Sequence, residues 1–266
     1  MGTAAQWSEQ LAVWALPDAV LAQAPESPWR FAPEEFVAIA RAALAGPTTP
    51  AIARAAEALP EGGVLLDVGA GAGAASLPLA RRAGRLVALD ASEELLDALG
   101  GLAAGLVALE RVVGRWPEVA AATPVADVVV CANVVYNIAD LVPFVSALGT
   151  KARARVVLTF TARHPLAPIA PLFRHFWGID RPEGPNAQDV LEIVRDASGL
   201  PVRVDRWRRE PGTGELDAAV VARVRRQLCL PASRDAEVRA QLERIGGPYA
   251  LDMVTASWRG AASGQS

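Results

Sequence analysis

The chain has 266 residues, 52% of them hydrophobic, and a formal net charge of −3. That length holds one large domain or a core with a modest extension, and that apolar content excludes a chain disordered throughout. The slightly negative balance, carried against arginine with Lys151 as the only lysine, speaks against a nucleic-acid partner.

The first residues, Met1-Gly2-Thr3-Ala4-Ala5-Gln6-Trp7, have no basic segment and run on to Glu9 and Asp18. They do not read as a secretory signal, and Gln6 breaks the myristoylation pattern. Trp7, Leu11 and Trp14 share one helix face. Pro17, Pro25 and Pro28 then punctuate the chain, a second helix starts near Pro33, and a third over 51–59 closes at Pro60 and Gly62-Gly63. Residues 1–62 are therefore expected to be an N-terminal helical extension or cap. From residue 63 short β-branched runs at 64–68, 86–90, 107–113, 127–132 and 155–161 alternate with helical segments near 75–83, 93–103 and 139–149. This spacing predicts an α/β fold with a parallel sheet covered on both faces. An insertion at about 165–185 precedes a helix over 187–197, a strand over 202–207, helices near 215–228 and 234–244, and a last strand over 251–258. Two strands separated by mostly helical chain suggest an antiparallel edge. No uncharged apolar stretch reaches the roughly 18 residues of a membrane span. Cys131 and Cys229 form neither a metal-ligand spacing nor a disulfide framework. No metal, no membrane and a cytoplasmic location are expected.

The chemistry concentrates where the first strand ends. Leu65-Leu66-Asp67-Val68-Gly69-Ala70-Gly71-Ala72-Gly73 places a carboxylate and then three alternating glycines at a strand-to-helix turn. Glycine tolerates positive φ and lets a ligand lie against backbone N–H groups. Asp90 closes the next strand about 20 residues on, where a carboxylate can accept both hydroxyls of a ribose. The turn also fits the looser dinucleotide pattern G-x-G-x-x-G/A. Three features point away from a nicotinamide or flavin. Asp67 would face a pyrophosphate unfavourably, about 60 residues of helical chain precede the motif, and the sheet ends antiparallel.

With these residues the chain resembles the class I S-adenosylmethionine (SAM)-dependent methyltransferase family, from about residue 64 to 161 and more weakly to 260. The resemblance implies a Rossmann-like seven-stranded, mostly parallel sheet with an antiparallel last strand and helices on both faces. It implies SAM as cofactor. Gly69, Ala70 and Gly71 would lie along its methionine part, Asp67 at its amino group, Asp90 at the ribose and Ala91 beside the adenine. After the third strand, Gly114-Arg115-Trp116 departs from the family's acidic adenine contact. Two arrangements are open there, Trp116 stacked on the base or Arg115 turned to solvent. The segment from Asp127 to Asn137 resembles the fourth-strand end of small-molecule methyltransferases, with Asn133 and Val134 at the cofactor. Asn133 and Tyr136 also echo an Asn-Pro-Pro-Tyr signature of amino-group methylation, but Val134 and Val135 replace both prolines.

Methyl transfer needs alignment of a nucleophile and exclusion of water, and a base only when the nucleophile starts protonated. His164, just past the fifth strand, and Tyr136 are the candidate catalytic residues, each with a plain packing or loop role as the alternative. His175 reads as packing. Phe173 and Trp177 in the insertion, with Trp29 near the N-terminus, are candidate walls of a substrate pocket or an ordinary apolar stripe. Arg203, Arg206, Arg208, Arg209, Arg223, Arg225 and Arg226 read as a solvated, ion-paired surface before an RNA-binding face. The expected activity is methyl transfer from SAM to a small-molecule acceptor. An RNA or protein methyltransferase, or a non-catalytic SAM-binding module, is the alternative.

Overall fold

The computed structural model describes residues 3–28, 33–210, 216–247 and 250–262. The chain divides into two compact units.

The larger unit, Phe31–Phe160 with Gln188–Arg206 and Val254–Ser266, holds most of the sheet. In chain order, the described helices α1 (Thr3–Ala12) and α2 (Asp18–Leu21) come first, followed by α3 (Pro33–Ala45) and α4 (Pro50–Ala58). Thr49 caps α4 by accepting from Ile52 N, and Pro50 supplies a first-turn φ without an orphaned N–H. Strand β1 (Gly63–Val68) is followed by β2 (Ala83–Asp90), α5 (Glu93–Ala103), β3 (Ala108–Val113), β4 (Ala126–Ala132), α6 (Leu141–Thr150) and β5 (Ala152–Thr161). Then come α7 (Ala170–Trp177), α8 (Ala187–Ser198), β6 (Arg203–Arg209), α9 (Ala218–Gln227), α10 (Asp235–Arg244) and β7 (Leu251–Arg259).

The seven strands form one sheet in the order β3-β2-β1-β4-β5-β7-β6. The pairs β1–β2, β2–β3, β1–β4 and β4–β5 are parallel. The last strand runs against β5, because Ala162 N donates to Asp252 O at 2.7 Å while Gly260 N donates to Ala154 O at 3.2 Å. The sheet is thus mixed and mostly parallel, as the sequence rhythm predicts, and Rossmann-like, as the resemblance implies. The order reverses between β1 and β4, and the carboxyl ends of strands beside such a reversal are where open α/β sheets bind ligands. Leu65, Leu86, Val128 and Val157 are fully or almost fully buried and join Leu59, Leu77, Leu96 and Leu99 in a continuous core.

One local expectation fails. The helix near 75–83 is absent, and residues 69–82 form turns with a single 3₁₀ segment at Leu77–Leu79. Pro78 has no N–H to give Ala74, so the i→i+4 ladder is interrupted inside the first turn. The chain instead bonds three residues apart, Leu79 N to Ser76 O at 2.9 Å and Ala80 N to Leu77 O at 3.0 Å.

The second unit combines Met1–Arg30, Thr161–Ala187 and Trp207–Met253. The N-terminal extension is therefore shared between the units. Trp14, Leu16 and Val20 pack with Leu166, Ile169, Leu172 and Phe173, with Val221 and Val224 of α9, with Leu228 just past its end, and with Val238 and Leu242 of α10. Among the described residues no single helix is long and apolar enough to cross a membrane.

Candidate functional site

Asp67 ends a strand whose other side chains are apolar, and it is fully buried. Among the described residues neither carboxylate oxygen has a hydrogen-bond partner. Burial raises its pKa from 3.8 to about 7, and the neighbouring charge of Asp90 pushes the same way. Ser76 is the nearby group that would lower it, although its buried hydroxyl lies outside hydrogen-bonding geometry. The Cys131 thiol is pushed up by burial and then by Asp67. A buried carboxylate without partners is costly unless a cation meets it. Asp67 therefore fits a ligand ammonium group.

The glycine turn is held to the second strand. Gly69 N and Ala70 N both donate to Leu89 O, at 2.8 and 2.9 Å. Gly69 has φ +70°, and an added Cβ would stand 2.4 Å from Val134 Cγ2. Backbone conformation and space both demand glycine there. At Gly71, φ is +52° and the Phe36 ring edge would lie 3.1 Å from a Cβ.

Asp90 accepts from Gly71 N at 2.8 Å through Oδ2 and from Ser92 N at 2.9 Å through Oδ1. It braces the turn, and each oxygen keeps a lone pair for a ligand hydroxyl. Ser92 accepts from Leu95 N at 3.3 Å and starts α5, and Ala91 beside it is exposed. Gly114 N donates to Asp90 O at 2.9 Å. A Cβ at Gly114 would lie 2.5 Å from Val119 Cγ1, so close packing selects that glycine. Arg115 is exposed, whereas Trp116 is buried and its Nε1 donates to Phe144 O at 3.1 Å. Asn133, exposed at the end of β4, adopts φ +60° and donates its N–H to Thr159 O at 2.8 Å. Asparagine is among the few residues that tolerate this region. Tyr136 is buried in the 3₁₀ turn Val135–Asn137.

The folded chain thus gathers Asp67, Gly69, Ala70, Gly71, Asp90, Ala91, Gly114, Arg115, Trp116, Asn133, Val134 and Tyr136 at the carboxyl ends of β1 to β4. His164, Phe173, His175 and Trp177 belong to the second unit. His164 is stacked on Trp14 with centroids 3.9 Å apart, and its Nδ1 accepts from Leu166 N at 3.2 Å. Burial and the Arg181 charge depress its pKa to about 3. A nitrogen so occupied and so weakly basic argues for packing and against general-base work. Phe173 is fully buried in the apolar cluster, and the Trp177 indole donates to Leu228 O at 2.7 Å. Both hold the unit together. His175 pairs with Glu237 at 3.1 Å. Trp29 lies outside the described residues. Sequence reasoning missed Phe36, Ser76 and Cys131. Only Ser76, a polar residue amid alanine and leucine, left a signal there.

Residues 65–150 match the model of a methyltransferase domain. Among solved structures, the chain is similar to the YcgJ protein of Bacillus subtilis (TM-score 0.54, 15% identity, 83% of this chain and 98% of that one). A cyclopropane-fatty-acyl-phospholipid synthase-like protein of Lactobacillus casei follows at TM-score 0.53 and 16% identity, covering 94% of this chain and 98% of that one. Magnesium protoporphyrin IX methyltransferase of Synechocystis, solved with bound SAH, has TM-score 0.50 and 16% identity over 83% of this chain and 82% of that one. At these identities the likeness is one of fold. No curated protein matches the chain.

Proposed function

We propose that this chain, whose residues 65–150 match a methyltransferase domain, is a class I SAM-dependent methyltransferase that transfers the methyl group of SAM to a small-molecule acceptor by in-line displacement. The observation that carries the reading is Asp67, whose two buried oxygens have no hydrogen-bond partner among the described residues. In this reading Asp67 takes the ammonium group of the cofactor. Gly69, Ala70 and Gly71 offer backbone at close approach, and Asp90 accepts from the ribose hydroxyls. Ala91, Gly114, Arg115 and Trp116 flank the base, with Asn133 and Val134 beside the reacting end. The cofactor supplies an electrophilic methyl group. The protein supplies alignment and a water-poor setting, and a proton acceptor only for a protonated nucleophile.

A small acceptor is favoured over RNA because several of the clustered arginines are ion-paired. Arg203 faces Asp205, Arg208 meets Glu210 at 3.3 Å, and Arg225 meets Asp235 at 2.8 Å. A cytoplasmic setting suits two buried free thiols, Cys131 and Cys229. Calorimetry with SAM and S-adenosylhomocysteine tests the proposal. Micromolar binding of both is expected, and no heat from either at millimolar concentration overturns it.

A further inference from the structure

Arg181 in the second unit is a cation with no counter-charge among the described residues. Arg181 donates through Nη1 to Trp14 O and Ala15 O, both at 3.3 Å. Its guanidinium lies 4.2 Å from the Phe173 ring centroid and 5.6 Å from that of Trp14. The Nε and Nη2 atoms are buried and have no hydrogen-bond partner. Among the described residues no acid lies within ion-pair distance of Arg181, and its neighbour Asp180 is turned to Arg174 at 3.1 Å. The charge is felt locally. It helps keep His164 neutral and acts to lower the Cys229 thiol, while burial disfavours the charged guanidinium itself.

Nε and Nη2 form the edge of a guanidinium that receives a carboxylate with two parallel bonds. Aromatic rings beside it hold the plane in place, and the third nitrogen is tied to backbone. A structural arginine would be expected to direct this edge at an acid or a carbonyl, since two unmet buried donors are costly. We propose that the Nε–Nη2 edge of Arg181 is a binding site for the carboxylate group of a small-molecule ligand. The site stands on the second unit's own geometry and does not depend on the methyltransferase reading. Because both donors are covered, the ligand enters by displacing side chains around them.

The test is calorimetry of the full chain with benzoate, in parallel with inorganic phosphate and, separately, SAM. Benzoate is expected to bind, at least tenfold more weakly to Arg181→Lys, which keeps charge without the fork, and undetectably to Arg181→Gln. SAM affinity should stay within twofold in both variants. Phosphate binding tighter than benzoate overturns the carboxylate assignment. So does absence of benzoate binding by a parent protein that binds SAM, or equal benzoate affinity in parent and Arg181→Lys. Loss of SAM binding by the parent protein would instead refute the methyltransferase reading and leave the benzoate result to stand alone. Should Arg181→Gln fail to fold, Arg181→Lys carries the comparison.

Discussion

Replacing Asp67 by asparagine tests the site through two effects of opposite sign. The side chain is fully buried and both oxygens are unpartnered. In the unfolded chain its carboxyl loses its proton near 3.8, and in the folded protein only near 7. Between those values the folded state holds the extra proton. The contribution of Asp67 to stability is therefore full below about pH 4 and is lost as pH rises through 7. At about 1.36 kcal/mol per pH unit, the loss amounts to about 4 kcal/mol at pH 8. Asp67→Asn removes the charge while keeping the shape. The variant should match the parent near pH 4 and exceed it at pH 8 by up to about 4 kcal/mol, roughly 10 °C in Tm for a chain of this size. Yet it should bind SAM about 10- to 100-fold more weakly, through loss of a charge-assisted bond of about 1.5–3 kcal/mol. Parent SAM affinity should fall about tenfold per pH unit below 7, because the proton must leave before an ammonium is held. Thermal unfolding by circular dichroism at both pH values, with calorimetry for SAM, reads all of this. A stability gap that is the same at pH 4 and pH 8, or a variant no more stable at pH 8, would refute the reasoning.

Two further predictions concern the turn. Asp90→Ala should weaken SAM binding by about 1–3 kcal/mol, since it removes the ribose acceptor and leaves Gly71 N without its 2.8 Å partner; unchanged affinity would show that Asp90 only braces the loop. Gly69→Ala should cost about 1–3 kcal/mol of stability from its +70° φ and the 2.4 Å approach to Val134 Cγ2. Adding Val134→Ala should recover part of that cost, and a strictly additive double variant in urea unfolding would exclude the clash.

The division between sequence and fold can be followed residue by residue. Alternation of β-branched runs with leucine- and alanine-rich segments determined the strands and their parallel pairing, because strand and helix periods depend on nearest neighbours in the chain. The cofactor turn was equally local, with Asp67, the glycines and Asp90 lying within two adjacent βα units. Pro78 was visible too, yet the helix expected over it gave way to a 3₁₀ turn, because pattern was weighed above the missing N–H. What sequence could not reach was side-chain company across long separations. Trp14 stacks on His164 and its indole donates to Gly184 O, 170 residues away. Burial in that packing, with the Arg181 charge nearby, pushes a candidate base toward its neutral form. Among the described residues the same folding left Arg181 without an acid and Asp67 without a donor. Whether a buried charge is matched depends on every element packed around it, and only the tertiary structure decides that.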